Sequence, residues 1–269
     1  MKILISNDDG ICAPGIVLLS NDLAARGHTV TVVAPDRARS GAGHSITTEY
    51  CLFLRKGPFP GYDESVRTFM CNGTPADCVM AGLHLAEPEA DLVLAGINRG
   101  SNLGCDVYYS GTVGAAREAY FENRRAIAVS LYLGPGRQDR SSPRTEHYET
   151  AVAAVGVLLD HPGIFPLPEG PTCLNVNVPN LPPPEVRGFR ATFTGRRRYE
   201  NRIRTTPAPN GEEYFWVTGS PVDRGEEEGS DVKAIKEGFI TLTFLRHDET
   251  DWDLNEHLDS EKLQKIKLG

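Results

Sequence analysis

Short apolar runs alternate with amphipathic stretches through the first two thirds of the chain. Residues 2–6 (KILIS) and 29–34 (TVTVVA) are continuous apolar runs, the second rich in β-branched side chains, as expected of strands buried on both faces. Between them Pro14 stands at a first helical position, Ile16, Leu19 and Leu23 share one helical face, and Gly27 can supply a left-handed cap. This is a βαβ unit, and its two strands are parallel. The alternation then repeats. Thr74 can cap a helix opened by Pro75, with Val79, Leu83 and Leu85 inward, ahead of the run 91–96 (DLVLAG). A helix over 112–122 leads to 126–132 (AIAVSLY), and one over 146–160 leads to 173–178 (CLNVNV). The pattern predicts an α/β fold with a doubly wound, mainly parallel sheet.

After Pro179 the texture changes. Prolines cluster at 182–184, and strand-like runs at 189–194, 213–218 and 238–245 are joined by polar, glycine-containing connections, which predicts an antiparallel extension. Leu254, Leu258 and Leu263 have helical spacing over 254–268 with no helix before them to pack against, so docking on another subunit is expected. The chain therefore divides into a core, residues 1–180, and a C-terminal β-rich oligomerisation extension, residues 181–269, which returns to the core and ends in a helix.

In open parallel sheets ligands bind beyond the carboxyl ends of the strands, so the loop after each predicted strand is where chemistry is sought. The first, SNDDGICAPG, sets two adjacent carboxylates, Asp8 and Asp9, at a strand end, with Gly10 and Gly15 permitting tight turning. Such hard oxygen donors suit Mg²⁺, Mn²⁺ or Ca²⁺; taken alone, the pair also suits a turn in which Asp8 caps and Asp9 is merely solvated. The second loop, PDRARSGAGHS, supplies Ser40 and Ser45, and the third, GINRGSNLG, supplies Asn98 and Asn102. Each of these residues also suits a turn, yet three predicted strand ends deliver oxygen donors to one crevice. In YYSGT, Ser110, Gly111 and Thr112 precede a helix of small residues, and a helix N-terminus attracts phosphate, although a plain Ser or Thr cap reads the same way.

Composition narrows the classes. With 40% hydrophobic and 24% charged residues the chain is an ordinary globular one, and its net charge of −8 argues against a partner that is a nucleic-acid polymer. No apolar run approaches the roughly 20 residues of a membrane span. The six cysteines form no CxxC pair or metal-finger spacing, and the first residues lack a charged stretch followed by an apolar one, so a reduced, cytoplasmic setting is expected.

Taken together, SNDDGIxAPGI, APDRxRSGxG, NGTPADCV, GINxGxNLG and YSGTVGAAREA resemble the survival-protein SurE family, and the likeness resumes with LNVNVP and GSDVKAIKEGFITLTFL. The resemblance implies a Rossmann-like core with an extension that assembles dimers or tetramers. It also implies 5′- or 3′-nucleotidase activity on nucleoside monophosphates, with exopolyphosphatase activity on short polyphosphate in some members. It implies one divalent cation, Mg²⁺ or Mn²⁺, held by Asp8, Asp9, Ser40 and Asn98, with Asp8 and Asp9 catalytic and Asn102, Ser110, Gly111 and Thr112 binding phosphate. Cys105 departs from the acidic residue of many relatives, and His44 is a second departure, expected to face solvent. Arg196, Arg197, Arg198 and Tyr199 suit an exposed charged hairpin or a contact to base or polyphosphate.

Other classes fit less well. A response-regulator receiver needs an aspartate after its third strand, where this chain has Gly96, Ile97 and Asn98. A haloacid-dehalogenase-type phosphatase needs a residue between its two aspartates, and a dinucleotide-binding oxidoreductase needs GxGxxG after the first strand. A non-catalytic Mg²⁺-binding switch or scaffold remains as the alternative.

Overall fold

The computed structural model describes residues 1–134, 145–163, 168, 170–222 and 227–257. Its first strand, β1 (Lys2–Ser6), explains why the apolar runs are continuous. Ile3 and Ile5 join a core with Ile16, Leu19 and Leu23 of helix α1 (Pro14–Ala25) and Tyr148, Ala151 and Val155 of α4 (Tyr148–Asp160). Leu4, on the opposite face, joins Cys78 and Val79 of α2 (Pro75–Ala81) and Val113, Ala116 and Ala119 of α3 (Gly111–Phe121). Successive side chains of a strand point to opposite faces, so a strand covered by helices on both sides must be apolar throughout. Replacing Leu4 by alanine would cost about 2–5 kcal/mol, because both the transfer term and the cavity act at a fully enclosed site.

The remaining strands are β2 (Thr29–Pro35), β3 (Leu54–Lys56), β4 (Arg67–Cys71), β5 (Leu92–Arg99), β6 (Arg125–Tyr132), β7 (Thr172–Pro179), β8 (Phe189–Ala191), β9 (Arg198–Pro207), β10 (Glu213–Val222) and β11 (Ile240–Phe244). Eight of them join β1 in one nine-stranded sheet in the order β3-β4-β2-β1-β5-β6-β7-β11-β8, and β9 and β10 form a separate antiparallel pair. From β4 to β7 all pairings are parallel, and β3 and β11 add antiparallel neighbours at the two flanks. The chain winds outward from β1 to β2 and β4, then returns to place β5 on the other side of β1. The carboxyl ends of β1 and β5 are therefore a topological switch point, where a crevice opens.

Helix starts follow the expected chemistry. Pro14 opens α1; Thr74 caps α2, its hydroxyl accepting from Asp77 N while Asp77 Oδ2 accepts from Thr74 N; and Ser110 Oγ caps α3 by accepting from Val113 N at 3.0 Å. Gly15 serves differently from the expected turn. It lies in the first turn of α1, where a Cβ would come within 2.3 Å of the Ile97 carbonyl, so its role is to let the helix start touch β5.

Several expectations give way. Leu85 is 72% exposed, because two residues along a helix turn a side chain to the opposite side from Leu83, which is buried. Strand β4, with a mixed burial pattern, was not signalled by alternation, and neither was strand β9. The extension is not wholly antiparallel, since β8 runs parallel to β11. Of the helix expected over 254–268, the turn Trp252–Asn255 (α6) overlaps the start, and residues 258–269 lie outside the described residues.

Candidate active site

The loop after β1 is set by its own backbone needs. Buried Asn7 closes it, donating to the Gly10 carbonyl at 2.9 Å and accepting from Gly10 N at 3.1 Å, with Gly10 at φ 102°. This turn presents Asp8 inward and Asp9 toward the rim. Asp8 Oδ1 accepts from the Thr112 hydroxyl at 2.6 Å, and the Thr112 amide donates to the same carboxylate. Gly111 makes that approach possible, for a Cβ there would lie 2.9 Å from Asp8 Cβ and 3.1 Å from Asp8 Oδ2. Asp9 Oδ2 accepts from Arg99 N at 2.9 Å, which ties the loop after β1 to the end of β5.

The Asp8 carboxyl is pushed up to about 6: burial raises it most, the Thr112 hydroxyl works against that, and the Asp9 charge adds to the rise. Two adjacent carboxylates, one buried, are a place where positive charge is wanted.

The other donors come from loops that converge here. Ser40 and Asn98 line one cleft of about 700 Å³ together with Asp8, Asn102 and Ser110. Asp9 borders the adjoining hollow, with Arg37, Arg99 and Tyr148. Asn98 follows a register shift in the β5–β6 ladder between Ala95 and Asn98, where Gly96 at φ 141° passes so close to β6 that a Cβ would meet the Val129 carbonyl at 2.4 Å. Such a bulge re-aims the side chain that follows it. The Asn98 amide nitrogen donates to the Gly100 carbonyl at 2.8 Å, and the acceptor that this side chain offers is its oxygen.

Asn102 is fixed from below. Its backbone N donates to Asn177 Oδ1 at 2.8 Å, its carbonyl accepts from Asn175 and Asn177 at 2.8 and 3.1 Å, and its amide nitrogen donates to Ser130 Oγ at 2.7 Å. This buried polar layer was missed in the sequence, yet a signal existed: LNVNVP places asparagines at alternate positions of an otherwise apolar strand, on one face.

The Ser40 loop is bolted to its surroundings. Arg39 N donates to the Asp8 carbonyl at 2.7 Å, Gly43 N to the Tyr109 carbonyl at 3.0 Å, and the Thr74 hydroxyl to the Ser45 carbonyl at 2.6 Å. Ser45 Oγ donates within the turn to the Ala42 carbonyl, so its hydroxyl serves the turn. His44 does not face solvent as expected. Its Nε2 lies 2.6 Å from Glu118 Oε2 and its ring stacks on Phe121 at 5.6 Å, because Gly114 lets the loop press against α3.

The arginine run divides. Arg196 is 87% exposed on its side chain, whereas the Arg197 side chain is 6% exposed and donates to Asp106 Oδ2 at 2.6 Å. The Tyr199 hydroxyl donates to Asp106 Oδ1 at 2.6 Å, and Cys105 Sγ donates to the Arg197 carbonyl at 3.0 Å. Burial raises the Asp106 carboxyl and Arg197 lowers it.

The donor set has the chemistry of a hard divalent cation: two carboxylates completed by hydroxyl and amide oxygens, with no group of three His, Cys, Asp or Glu among the described residues. Asp8, buried beside Asp9, fits a cation to this place, since burial leaves negative charge poorly solvated.

A profile of the family described as "Survival protein SurE" matches residues 3–201. The chain is 40% identical to the 5′-nucleotidase SurE of Synechococcus elongatus, over 96% of this chain and 98% of that one, and 38% identical to the 5′-nucleotidase SurE of Natranaerobius thermophilus, over 97% and 98%. Its fold matches the crystal structure of the SurE protein of Aquifex aeolicus with a TM-score of 0.77 at 35% identity, covering 98% of this chain and all of the other. With the motifs standing at the converging strand ends and the likeness spanning nearly the whole length, the chain belongs to the survival protein SurE family.

Proposed function

We propose that this chain is a metal-dependent phosphomonoesterase that hydrolyses nucleoside 5′- and 3′-monophosphates to nucleoside and phosphate, and that it also trims short polyphosphate. The observation that carries this reading is the Asp8 carboxylate held at the N-terminus of α3, where it lines a cleft with Ser40, Asn98, Asn102 and Ser110, next to Asp9, which is tied to the end of β5. The names of the relatives, 5′-nucleotidases, support it.

Asp8, Asp9, Ser40 and Asn98 would hold one divalent cation, Mg²⁺ or Mn²⁺, which supplies charge neutralisation and Lewis acidity toward phosphoryl and water oxygens. The start of α3 at Ser110, Gly111 and Thr112 directs its positive end at the phosphoryl group, and Asn102, which lines the same cleft, joins them in binding phosphate. Thr112 has a second duty, since its hydroxyl and amide hold Asp8. In the reaction, water oxygen forms a bond to phosphorus, the ester P–O bond breaks, and the nucleoside oxygen leaves with a proton. The residues orient the phosphoryl group and stabilise charge rather than entering covalent chemistry.

The extension is assigned to self-association into a dimer or tetramer. Among the described residues its β9–β10 arm pairs only with itself, and it exposes Ile203, Tyr214, Phe215, Trp216 and Val217, an apolar surface of the kind that marks an interface. All six cysteines are unpaired, which supports a reducing, cytoplasmic setting. No helix among the described residues is long and apolar enough to cross a membrane.

Phosphate release from nucleoside 5′- and 3′-monophosphates and tripolyphosphate, with Mn²⁺, with Mg²⁺ and with chelator, tests the reading alongside Asp9→Asn. Metal-dependent release that the mutant loses, with its fold retained by circular dichroism, is the expected result. No release with any metal would move the assignment to a Mg²⁺-binding switch or scaffold.

A further inference from the structure

A second hollow, of about 830 Å³, adjoins the catalytic cleft at Cys105, which lines both. Its size is that of a ligand site. Its walls bring together three separate parts of the chain. Helix α3 gives Arg117, residues 192–197 give Arg196 and Arg197, and the stretch after β11 gives Arg246. The acids on these walls are Asp248 and Glu249, and Asp248 already accepts from Thr250 N at 2.9 Å and from Trp252 Nε1 at 3.0 Å. A chain with a net charge of −8 thus gathers four arginines about one hollow. Like charges drawn from separate segments repel one another, and an anion between them relieves that repulsion.

The four guanidiniums are not equally engaged. Arg197 donates to Asp106 Oδ2 at 2.6 Å, and Arg196 has Glu227 at 3.8 Å. Arg117 and Arg246 form no ion pair among the described residues. Arg117 is nevertheless fixed in place. Its Nε is enclosed by protein, and its guanidinium carbon lies 5.9 Å from the centre of the Tyr108 ring, on the same wall. A cation–π contact orients an arginine without neutralising it. Arginine is also the side chain suited to phosphate, because its planar fork offers paired N–H donors that match two phosphate oxygens.

We propose that this hollow is a second anion site, which takes a ligand carrying two or more linked phosphate groups and fills without the divalent cation of the catalytic cleft. The number of arginines sets the class. One guanidinium fork already matches two oxygens of a phosphate, and four stand at this wall. The site goes beyond the nucleotidase reading, since none of its four arginines lines the catalytic cleft.

The test is titration calorimetry of the full chain with tripolyphosphate, in EDTA and at about 0.15 M salt, where attraction between distant exposed charges is screened. Wild type is compared with Arg117→Gln, Arg246→Gln, the two combined, and Arg117→Lys, with melting temperatures recorded. Arg197 is left in place because it holds Asp106. Each glutamine variant loses charge-assisted hydrogen bonds and should raise Kd about tenfold, the combination more. Arg117→Lys keeps the charge and loses the fork, so it should also bind more weakly than wild type. Orthophosphate should bind wild type at least about tenfold more weakly than tripolyphosphate. ATP in the same buffer sorts the source of the phosphate chain: affinity at or above that of tripolyphosphate supports a nucleoside polyphosphate, and lower affinity supports a free polyphosphate. No binding of tripolyphosphate, an affinity that the double variant keeps, wild-type affinity in Arg117→Lys, or orthophosphate bound as tightly overturns the proposal. Arg246→Gln, at an exposed position, keeps the test decisive if Arg117→Gln fails to fold. None of these titrations uses turnover, so the nucleotidase reading stands or falls separately.

Discussion

Thr112 grips Asp8 twice, its hydroxyl donating to Oδ1 at 2.6 Å and its amide to the same carboxylate, across 104 residues of sequence. The pair joins the first strand of the core to the helix that closes the site. It orients one of the two acids and opposes the rise in its pKa that burial causes.

Removing that grip should be felt in affinity before stability. In Thr112→Val the shape is kept and one charge-assisted hydrogen bond is lost, a change of about 1.5–3 kcal/mol. Weaker Mn²⁺ binding by roughly tenfold or more in titration calorimetry at pH 7.5 is expected, with kcat falling in parallel. Wild-type affinity in the variant would show that the bond does not serve the cation site.

Asp8 also sets a pH dependence. Its carboxyl titrates at about 6 in the fold and near 3.8 when unfolded, so between those values the folded chain keeps a proton that the unfolded chain has released. Stability of the metal-free protein therefore declines as pH rises from about 4 to about 6 and stays lower above that. Asp8→Asn should make the metal-free protein more stable at pH 7.5 by roughly 1–3 kcal/mol while abolishing turnover, as read by urea unfolding and phosphate release. A loss of stability on this substitution would sink the account.

Neighbouring arginines should behave differently. Arg197→Ala leaves Asp106 buried without its ion pair and should cost about 3–5 kcal/mol, whereas Arg196→Ala removes a solvated charge and should stay within about 0.5 kcal/mol. Thermal melts of the two variants decide this, and similar losses in both would contradict the asymmetry of burial.

The arm is the place to test self-association. Phe215→Ser with Trp216→Ser removes exposed apolar surface without disturbing a core, so sedimentation should show smaller particles with melting of the core unchanged. An unaltered sedimentation coefficient would remove the arm from the interface.

Much of this molecule is legible because both faces of its central strands are covered. KILIS, DLVLAG and AIAVSLY have no competing reading as solvent-facing elements, and Pro14, Thr74 and Ser110 mark helix starts by backbone chemistry alone. Legibility ends where tertiary context decides. Strand β4 carries an exposed Arg67 and half-buried Phe69 and Met70, which no period describes, and Leu85 fails because its spacing of two from Leu83 puts it on the opposite side of the helix. His44 and Arg197 look like surface residues until the partners Glu118 and Asp106, far away in sequence, are brought beside them.

The four fastenings of the Ser40 loop, to Asp8, Tyr109, Glu118 and Thr74, leave no slack between Arg39 and Ser45. An inserted residue there would have to break at least one of them, so the length of this segment is as much a specification as its composition. The β9–β10 arm is the opposite case. Its ladder is paired within itself from Arg198–Val222 to Pro207–Glu213, and it could grow or shrink by matched residues at its tip without moving a strand of the sheet. The architecture thus separates a part with fixed dimensions, where a chemical site must keep its measure, from one whose reach is open to revision.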